Sequence, residues 1–251
     1  MQRDEIASQR EFLKDSLRLA IDFRFTDQKQ GVASPTVQKA PRPEQPIQSL
    51  PGPEQWQELQ ATSLLDAIAG RKSQRRFSSE PLTLKELAFL LWATQGIRQE
   101  LSEGTALRNV PSAGCRHPFE TYLLITRVTG LEPGVYRYLA REHALVLERG
   151  DENLVEKLPA ATLGQAFSAA AAVTFVWACI PYRTEWRYHT AAHRVILMDA
   201  GHICQNLYLA CAAVGAGTCA IAAYHQELMD QLIGVDGQEE FTVYLAPVGK
   251  L

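Results

Sequence analysis

The longest helical pattern in the chain covers residues 193–214 and is followed by Gly215. Its apolar residues recur at helical spacing and therefore form one stripe along the helix. The members of this stripe are Ile196, Ala200, Ile203, Leu207 and Ala210. A helix of this kind usually lies at the centre of a domain or in an interface. The fold must therefore bury its apolar stripe in one of these two settings.

Apolar and β-branched segments that are typical of strands alternate with further helical patterns. Strands are predicted at residues 122–128, 135–138, 144–147, 172–179, 219–223 and 241–246, with the second and third forming a hairpin. Helices are predicted at residues 64–70 after the N-cap Ser63, at 84–95 between the capping box Thr83–Glu86 and Gly96, and at 226–233. The order has no regular βαβ rhythm. It therefore predicts an α+β fold, with a mixed central sheet flanked by helices, instead of a Rossmann sheet.

The first 60 residues are predicted to be an N-terminal extension of a domain at residues 61–251. Residues 3–25 fit either a helix or an alternating strand, and we favour a helix up to about residue 20. Residues 31–55 hold six of the thirteen prolines. Proline lacks a backbone donor, so this part is predicted to be an extended arm without regular structure, either packed on the domain or free.

Composition narrows the class of protein. With 251 residues, of which 46% are hydrophobic, the chain can bury the core of one domain with an extension. A net charge of −3 argues against a nucleic-acid partner. No apolar run approaches the length of a membrane span, and the N-terminus lacks the pattern of a signal peptide. The five cysteines show no CxxC spacing, so we expect reduced thiols in a cytoplasmic protein.

One strongly basic stretch stands out, Arg71-Lys72-Ser73-Gln74-Arg75-Arg76-Phe77. Guanidinium groups offer forked donors that match phosphate oxygens, and the Ser73 hydroxyl adds a compact one. The stretch therefore indicates a bound anion or an acidic partner surface. One alternative is a solvated basic turn, and another is that Arg75 and Arg76 pair with surface carboxylates.

Further motifs follow the basic stretch in order along the chain. They are Pro111-Ser112-Ala113-Gly114, His117-Pro118-x-Glu120, Gly134-Val135-Tyr136-x-Tyr138, Asp199-Ala200-Gly201-His202-x-x-Gln205-Asn206-Leu207, Gly215-Ala216-Gly217-Thr218-Cys219 and Pro247-Val248-Gly249-Lys250. Together with Arg71-Lys72-Ser73-x-Arg75-x-Phe77, this series resembles the nitroreductase superfamily, and within it the SagB-type dehydrogenase branch. The resemblance covers roughly residues 62–250.

The resemblance implies a nitroreductase-like fold and an FMN-dependent oxidoreductase. Hydride would pass between an organic substrate or NAD(P)H and flavin N5. The flavin would lie at a homodimer interface, with phosphate contacts from one subunit and the strand that faces N5 from the other. The implied cofactor contacts are Arg71, Lys72 and Ser73 at the phosphate and ribityl chain, Arg75 at the N1 edge, Pro111, Ser112, Ala113 and Gly114 beside the ring, backbone N–H groups of Ala220, Ile221 and Ala222 near N5, and Lys250 at the phosphate. For Lys250 a solvated side chain is the alternative.

The pair Arg187-Tyr188 departs from the family pattern, because the relatives that oxidise azoline rings in peptides carry Lys-Tyr there. Arginine is a poor general base, since its pKa lies above about 12. Tyr188 could still donate or accept a proton, and Arg187 could bind a carboxylate or phosphate. A small substrate is therefore favoured over a peptide azoline.

Two other functions stay open. A flavin-binding but non-catalytic partner protein of a peptide-modification cluster would also explain Arg187. A metal-dependent hydrolase would use His189 and His193, which lie at i, i+4 if they share a helix, with Glu185 or Asp199 as a third ligand. The segment between the histidines lacks the glutamate of HExxH, so no metal site is assigned.

Overall fold

The computed structural model describes residues 2–57, 59 and 62–251. The helices are α1 Gln2–Glu11, α2 Leu64–Gly70, α3 Leu84–Gln95, α4 Leu154–Ala161, α5 Phe167–Ala170, α6 Tyr182–Tyr188, α7 Ala192–Ala213 and α8 Gln226–Ile233. The strands are β1 Ile47–Ser49, β2 Ile97–Ser102, β3 Thr105–Arg108, β4 Phe119–Ile125, β5 Gly134–Leu139, β6 Ala144–Gly150, β7 Val173–Cys179, β8 Ala216–Thr218 and β9 Phe241–Lys250. Among these described helices, none has the combination of length and hydropathy that a bilayer span requires.

Seven strands form the main sheet, in the order β1-β6-β5-β4-β7-β9-β8, and each neighbouring pair is antiparallel. Every residue of the central strands β4 and β7 is buried. Alternate residues of these strands face opposite sides, because strand side chains have a period of two. One face packs on α3 and α7, and the other packs on α4 and α8. The prediction of an α+β fold with a central sheet flanked by helices is confirmed.

The long helix α7 matches the predicted segment closely. All five residues of the predicted stripe are buried in it. They pack with Leu87, Leu90 and Leu91 of α3 in the larger of the two main hydrophobic clusters. The capping box is present as well, since the Thr83 N–H donates to Glu86 Oε2 at 2.8 Å and the Glu86 N–H donates to Thr83 Oγ1 at 3.2 Å.

The N-terminal extension differs from the prediction in two respects. A helix up to about residue 20 is wrong, because α1 ends at Glu11 and 3-10 turns follow at Ser16–Ala20 and Phe23–Phe25. An arm without regular structure is also wrong, because β1 pairs with β6. The residues of β1 lie between Pro46 and Pro51, so each of them retains its backbone donor.

Buried charged side chains bind the arm through its backbone. The Lys39 N–H donates to Glu120 Oε1 at 2.7 Å. Arg137 donates to the Lys39 carbonyl at 2.6 Å, and Arg108 donates to the Val37 carbonyl at 2.7 Å. Glu120, Arg108 and Arg137 are all at most 5% exposed. The arm therefore supplies hydrogen-bond partners to groups that the domain buries.

Several local assignments need correction. The strand predicted at residues 219–223 is wrong, because β8 ends at Thr218 and only Ile221 forms an isolated bridge, to Leu245. The sheet ladder is interrupted because the Ala220 N–H donates to the Tyr208 hydroxyl instead of to a strand. The sequence patterns also missed the β2–β3 hairpin and the helices α4, α5 and α6.

Candidate functional site

The basic segment, residues 71–78, is extended and lies along the edge of the sheet. The Gln74 N–H donates to the Thr218 carbonyl at 2.9 Å, and the Ser78 N–H donates to the Lys250 carbonyl at 2.9 Å. A Cβ atom at Gly217 would lie 2.6 Å from Gln74 Cγ, and one at Gly249 would lie 2.8 Å from Phe77 Cβ. These glycines are therefore required for the close approach of the basic segment to the sheet.

The cations of the basic segment have no acidic partners in the described part of the chain. Arg71, Lys72, Arg75 and Arg76 are exposed. The guanidinium carbon of Arg71 lies 5.3 Å from the centre of the Tyr208 ring, and that of Arg75 lies 5.9 Å from the centre of the Phe167 ring. The alternative in which Arg75 and Arg76 pair with surface carboxylates is therefore wrong. Unpaired cations on an ordered backbone are suited to binding an anion.

Tyr208 of α7 joins the basic segment to residues 220–222. Its hydroxyl lies 3.0 Å from Ser73 Oγ and accepts a hydrogen bond of 2.9 Å from the Ala220 N–H. The resemblance implies that these two groups come from different subunits, whereas here they lie side by side in one chain. Sequence reasoning did not single out Tyr208. The available signal in the sequence was that Tyr208 follows Leu207 of the buried stripe. This position brings its hydroxyl to the edge of the core.

The backbone donors at residues 220–222 differ in availability. The N–H groups of Ala220 and Ile221 are bonded, the latter to the Leu245 carbonyl at 2.8 Å. Ala222 is exposed, and its N–H has no partner within the described residues. One of the three donors is therefore free to bind a ligand.

The turn at residues 111–114 is held by Asp199 of α7. Ser112 Oγ donates to Asp199 Oδ2 at 2.6 Å, and the Ala113 N–H donates to Asp199 Oδ1 at 3.2 Å. Burial raises the pKa of Asp199, while these two hydrogen bonds oppose the rise. Asp199 thus anchors the turn, and its carboxylate is not free to act as the third metal ligand considered above.

Arg187 and Tyr188 lie against the same turn. Gly114 has a φ of 60°, and a Cβ atom there would lie 2.7 Å from the Tyr188 hydroxyl and 2.9 Å from Arg187 Cδ. Both side chains are half-buried, and neither forms a hydrogen bond or an ion pair in the described part of the structure. Two predicted site segments, which lie far apart in the sequence, are therefore in contact. They leave an unpaired guanidinium and a phenol at the surface of the turn.

A cavity of about 430 Å³ adjoins the turn, and His117 and Cys115 contribute to its wall. His117 Nε2 lies 2.9 Å from the Ala106 carbonyl, so Nε2 carries the hydrogen. Burial, followed by the charge of Arg108, lowers the pKa of His117 to about 3. The imidazole is therefore neutral at ordinary pH.

Lys250 is neither solvated nor free. Its Nζ lies 2.7 Å from Glu86 Oε1 and 2.7 Å from the carbonyl of Val214, the residue after α7, and its side chain is 14% exposed. The solvated alternative is therefore wrong. A phosphate contact for Lys250 stays a prediction, and it would have to compete with this ion pair.

The histidine pair does not have the geometry that the hydrolase hypothesis needs. His189 has a φ of 49° and ends α6, whereas His193 lies in the first turn of α7, so they do not share a helix. His193 Nε2 lies 2.7 Å from Glu185 Oε1. Across residues 2–57, 59 and 62–251, no group of three or more His, Cys, Asp or Glu side chains could hold a metal ion.

Comparison with known proteins agrees with this architecture. Residues 68–250 match the Nitroreductase family, and the chain belongs to that family. It is 33% identical over 196 residues to MJ1384 of Methanocaldococcus jannaschii, which is named as a nitroreductase, and the match covers 78% of this chain and 95% of that protein. It is 30% identical over 131 residues to the trifolitoxin-processing protein TfxB of Rhizobium leguminosarum bv. trifolii, covering 51% of this chain and 35% of TfxB.

Solved structures of the family share the fold. A nitroreductase-family structure from Ralstonia eutropha matches with a TM-score of 0.67 at 23% identity, covering 87% of this chain and 98% of that one. A structure from Exiguobacterium sibiricum in complex with FMN matches with a TM-score of 0.55 at 15% identity, covering 76% and 89% of the two chains. The predicted nitroreductase-like fold is confirmed.

Proposed function

We propose that this chain is an FMN-dependent oxidoreductase that transfers a hydride between a small organic substrate or NAD(P)H and the N5 atom of the flavin. The observation that carries the proposal is the basic segment, whose exposed cations have no acidic partner in the described part of the chain. Membership of the nitroreductase family supports the redox class, and the FMN complex of the Exiguobacterium relative supports the cofactor. The similarity to TfxB supports a relationship to the SagB-type branch.

The donor set on this chain fits a flavin mononucleotide. Arg71, Lys72 and Ser73 would hold the phosphate and ribityl chain, since a phosphate accepts several charge-assisted hydrogen bonds. Arg75 would lie at the N1 edge of the ring, where a cation stabilises the charge of the reduced form. The free N–H of Ala222 would serve as the donor to N5, next to Ala220 and Ile221, and Lys250 would add a second contact to the phosphate.

The turn at residues 111–114 would pack beside the flavin ring. Arg187 and Tyr188, which lie against this turn, would contact the substrate. Tyr188 would donate or accept the proton that accompanies hydride transfer, because its hydroxyl lies against Gly114 and has no partner among the described residues. Arg187 would bind an anionic group of the substrate, because its guanidinium has no hydrogen-bond or ion-pair partner among the described residues and offers forked donors.

The test is to purify the protein and record its visible spectrum, before and after addition of FMN, followed by anaerobic mixing with NADH and NADPH. We expect flavin absorption bands and their loss on addition of one of the two donors. Protein that neither contains nor binds FMN would refute the proposal. A bound flavin that no donor and no substrate reduces would favour the non-catalytic binding role, which the Arg187 replacement motivates.

Replacement of Arg75 should weaken FMN binding. A charge-assisted hydrogen bond contributes about 1.5–3 kcal/mol, so we expect Arg75→Ala to raise the Kd for FMN by roughly 10- to 100-fold, as measured by flavin fluorescence titration. The matched control is Arg76→Ala, because adjacent residues of an extended segment point in opposite directions. Equal Kd values for the two variants and the wild type would contradict the role of Arg75.

We also propose that the active protein is a homodimer. Asp199, which holds the turn, and Tyr208, which contacts the basic segment, are separated by about 13 Å along α7. A second subunit would bring its turn to the basic segment of the first. Exposed apolar side chains that would form the contact are Leu197 and Met198 of α7 and Leu64, Leu65 and Ile68 of α2.

Charges placed on the exposed face of α7 should separate the subunits. We expect the double substitution Leu197→Glu and Met198→Glu to give a monomer that retains little FMN, because an interface cannot bury unpaired carboxylates. Size-exclusion chromatography with light scattering measures the mass. Val155→Glu on α4 is the control, since Val155 is similarly exposed on another face. A wild-type protein that is monomeric in the presence of FMN would refute the dimer.

A further inference from the structure

The N-terminal extension packs against α6, the helix that ends in Arg187 and Tyr188. The Gln28 N–H donates to the Trp186 carbonyl at 3.0 Å, and Trp186 Nε1 donates to the Val32 carbonyl at 3.0 Å. The Tyr182 hydroxyl donates to Asp27 Oδ2 at 2.7 Å. These bonds fix residues 27–32 on α6. The residues that precede position 27 are thereby brought to the end of α6 at which Arg187 and Tyr188 lie.

Arg18 is the residue of the extension that reaches this place. Its guanidinium carbon lies 6.0 Å from the centre of the Tyr188 ring, while that of Arg187 lies 5.5 Å from the same centre. Asp15 accepts a hydrogen bond of 2.8 Å from Arg18 Nε and also lies 3.4 Å from Arg194. The two terminal nitrogens of Arg18 have no partner within the described residues. They form an open fork of donors beside the phenol.

The surroundings of Arg18 and Arg187 are positively charged. Arg116 is buried and lies 4.6 Å from the centre of the Trp186 ring. Its shortest hydrogen bonds go to backbone carbonyls, those of Gly104 at 2.6 Å and Arg183 at 2.8 Å. Burial, followed by the charges of Arg187 and Arg183, lowers its pKa.

No described carboxylate is bonded to Arg187 or to the terminal nitrogens of Arg18, since Asp27 binds Tyr182 and Asp199 binds Ser112. Asp15 is shared between Arg18 and Arg194, Glu185 is paired with His193, and Glu120 is paired with Arg183. The surface between Arg18 and Arg187 therefore favours an anion.

We propose that Arg18 and Arg187 together bind a carboxylate or phosphate group of the substrate, so that the N-terminal extension determines substrate specificity. This inference rests on the proposed function, which assigns the Arg187–Tyr188 pair to the substrate side of the site. Both groups offer oxygens that accept forked guanidinium donors. Arg18 lies outside residues 68–250, the part of the chain that matches the family, so the extension adds this contact to the family domain.

The test measures binding of three probes to the purified full-length protein by isothermal titration calorimetry. The probes are para-nitrobenzoate, para-nitrophenyl phosphate and the neutral para-nitrobenzamide. We expect at least one of the two anions to bind about 10-fold more tightly than the amide. Arg18→Ala should remove most of that preference and leave the Kd of the amide unchanged. Arg18→Lys should keep only part of the preference for the anions, because a lysine ammonium lacks the forked donors of a guanidinium. Arg10→Ala is the control, since Arg10 is an exposed cation of α1.

The two anionic probes decide which group is preferred, and either result supports the proposal. Equal Kd values for the anions and the amide would overturn it, and so would an equal effect of Arg18→Ala and Arg10→Ala. Calorimetry detects binding whether or not flavin is present. A protein that contains reducible FMN but lacks the preference for anions refutes only this inference. A protein that shows the preference but binds no FMN refutes only the proposed oxidoreductase.

Discussion

Removal of residues 2–45 is expected to give a chain that no longer folds. The deletion takes away the backbone partners of three buried side chains, Glu120, Arg108 and Arg137. Leaving a buried donor or acceptor without its hydrogen-bond partner costs about 1–3 kcal/mol, and more where the group is charged. Three such losses together are comparable to the whole free energy of unfolding of a domain, about 5–15 kcal/mol.

The measurement is circular dichroism during urea unfolding, together with the yield of soluble protein. Deletion of residues 2–11 is the control, because residues 5–11 of α1 are exposed. We expect that shorter deletion to change the free energy of unfolding by less than about 1 kcal/mol. A chain without residues 2–45 that unfolds cooperatively and with nearly unchanged stability would show that the domain does not depend on the arm.

His117→Gln is expected to make the protein much less sensitive to acid. In the unfolded chain the pKa of histidine is about 6.5, whereas burial lowers that of His117 to about 3 in the fold. Between these values the unfolded state binds a proton that the folded state does not bind. The stability that the neutral imidazole contributes is therefore present above pH 6.5 and is lost as the pH falls toward 3.

The size of the effect follows from the same shift. Between about pH 7 and about pH 4 the linkage lowers the free energy of unfolding by ~3 kcal/mol, and the glutamine variant should lack this part of the decrease. Glutamine has no titrating group but can still donate to the Ala106 carbonyl. Urea titrations at both pH values give the measurement, and His202→Gln, at an exposed histidine of α7, is the control. Parallel pH curves for His117→Gln and the wild type would contradict the assignment.

Local patterns predicted the parts of the fold that local physics determines. The buried stripe of α7 follows from periodicity alone, and the start of α3 follows from the Thr83–Glu86 capping box. The basic segment could be recognised because it concentrates four cations in a protein whose net charge is −3. The family motifs predicted the family, and the match over residues 68–250 confirms it.

Long-range contacts determined the rest, and no local pattern reports them. The strand predicted at residues 219–223 lies too far along the chain, because a single bond from the Ala220 N–H to Tyr208 ends the ladder. Strand β1 has three residues, all exposed, so it offers no alternation to detect. The contact of Gly114 with Arg187 and Tyr188 joins segments more than 70 positions apart. The positive φ of His189, which breaks the expected helix between the two histidines, likewise has no local signal.

The way in which the arm is bound has a consequence for its evolution. Arg108 and Arg137 recognise carbonyl oxygens, and Glu120 recognises an amide hydrogen, so these contacts do not depend on the identity of the arm side chains. Orthologues are therefore expected to diverge freely at position 40, whose side chain is exposed, while retaining the same path of the chain. The selective constraint falls instead on the three charged residues of the domain.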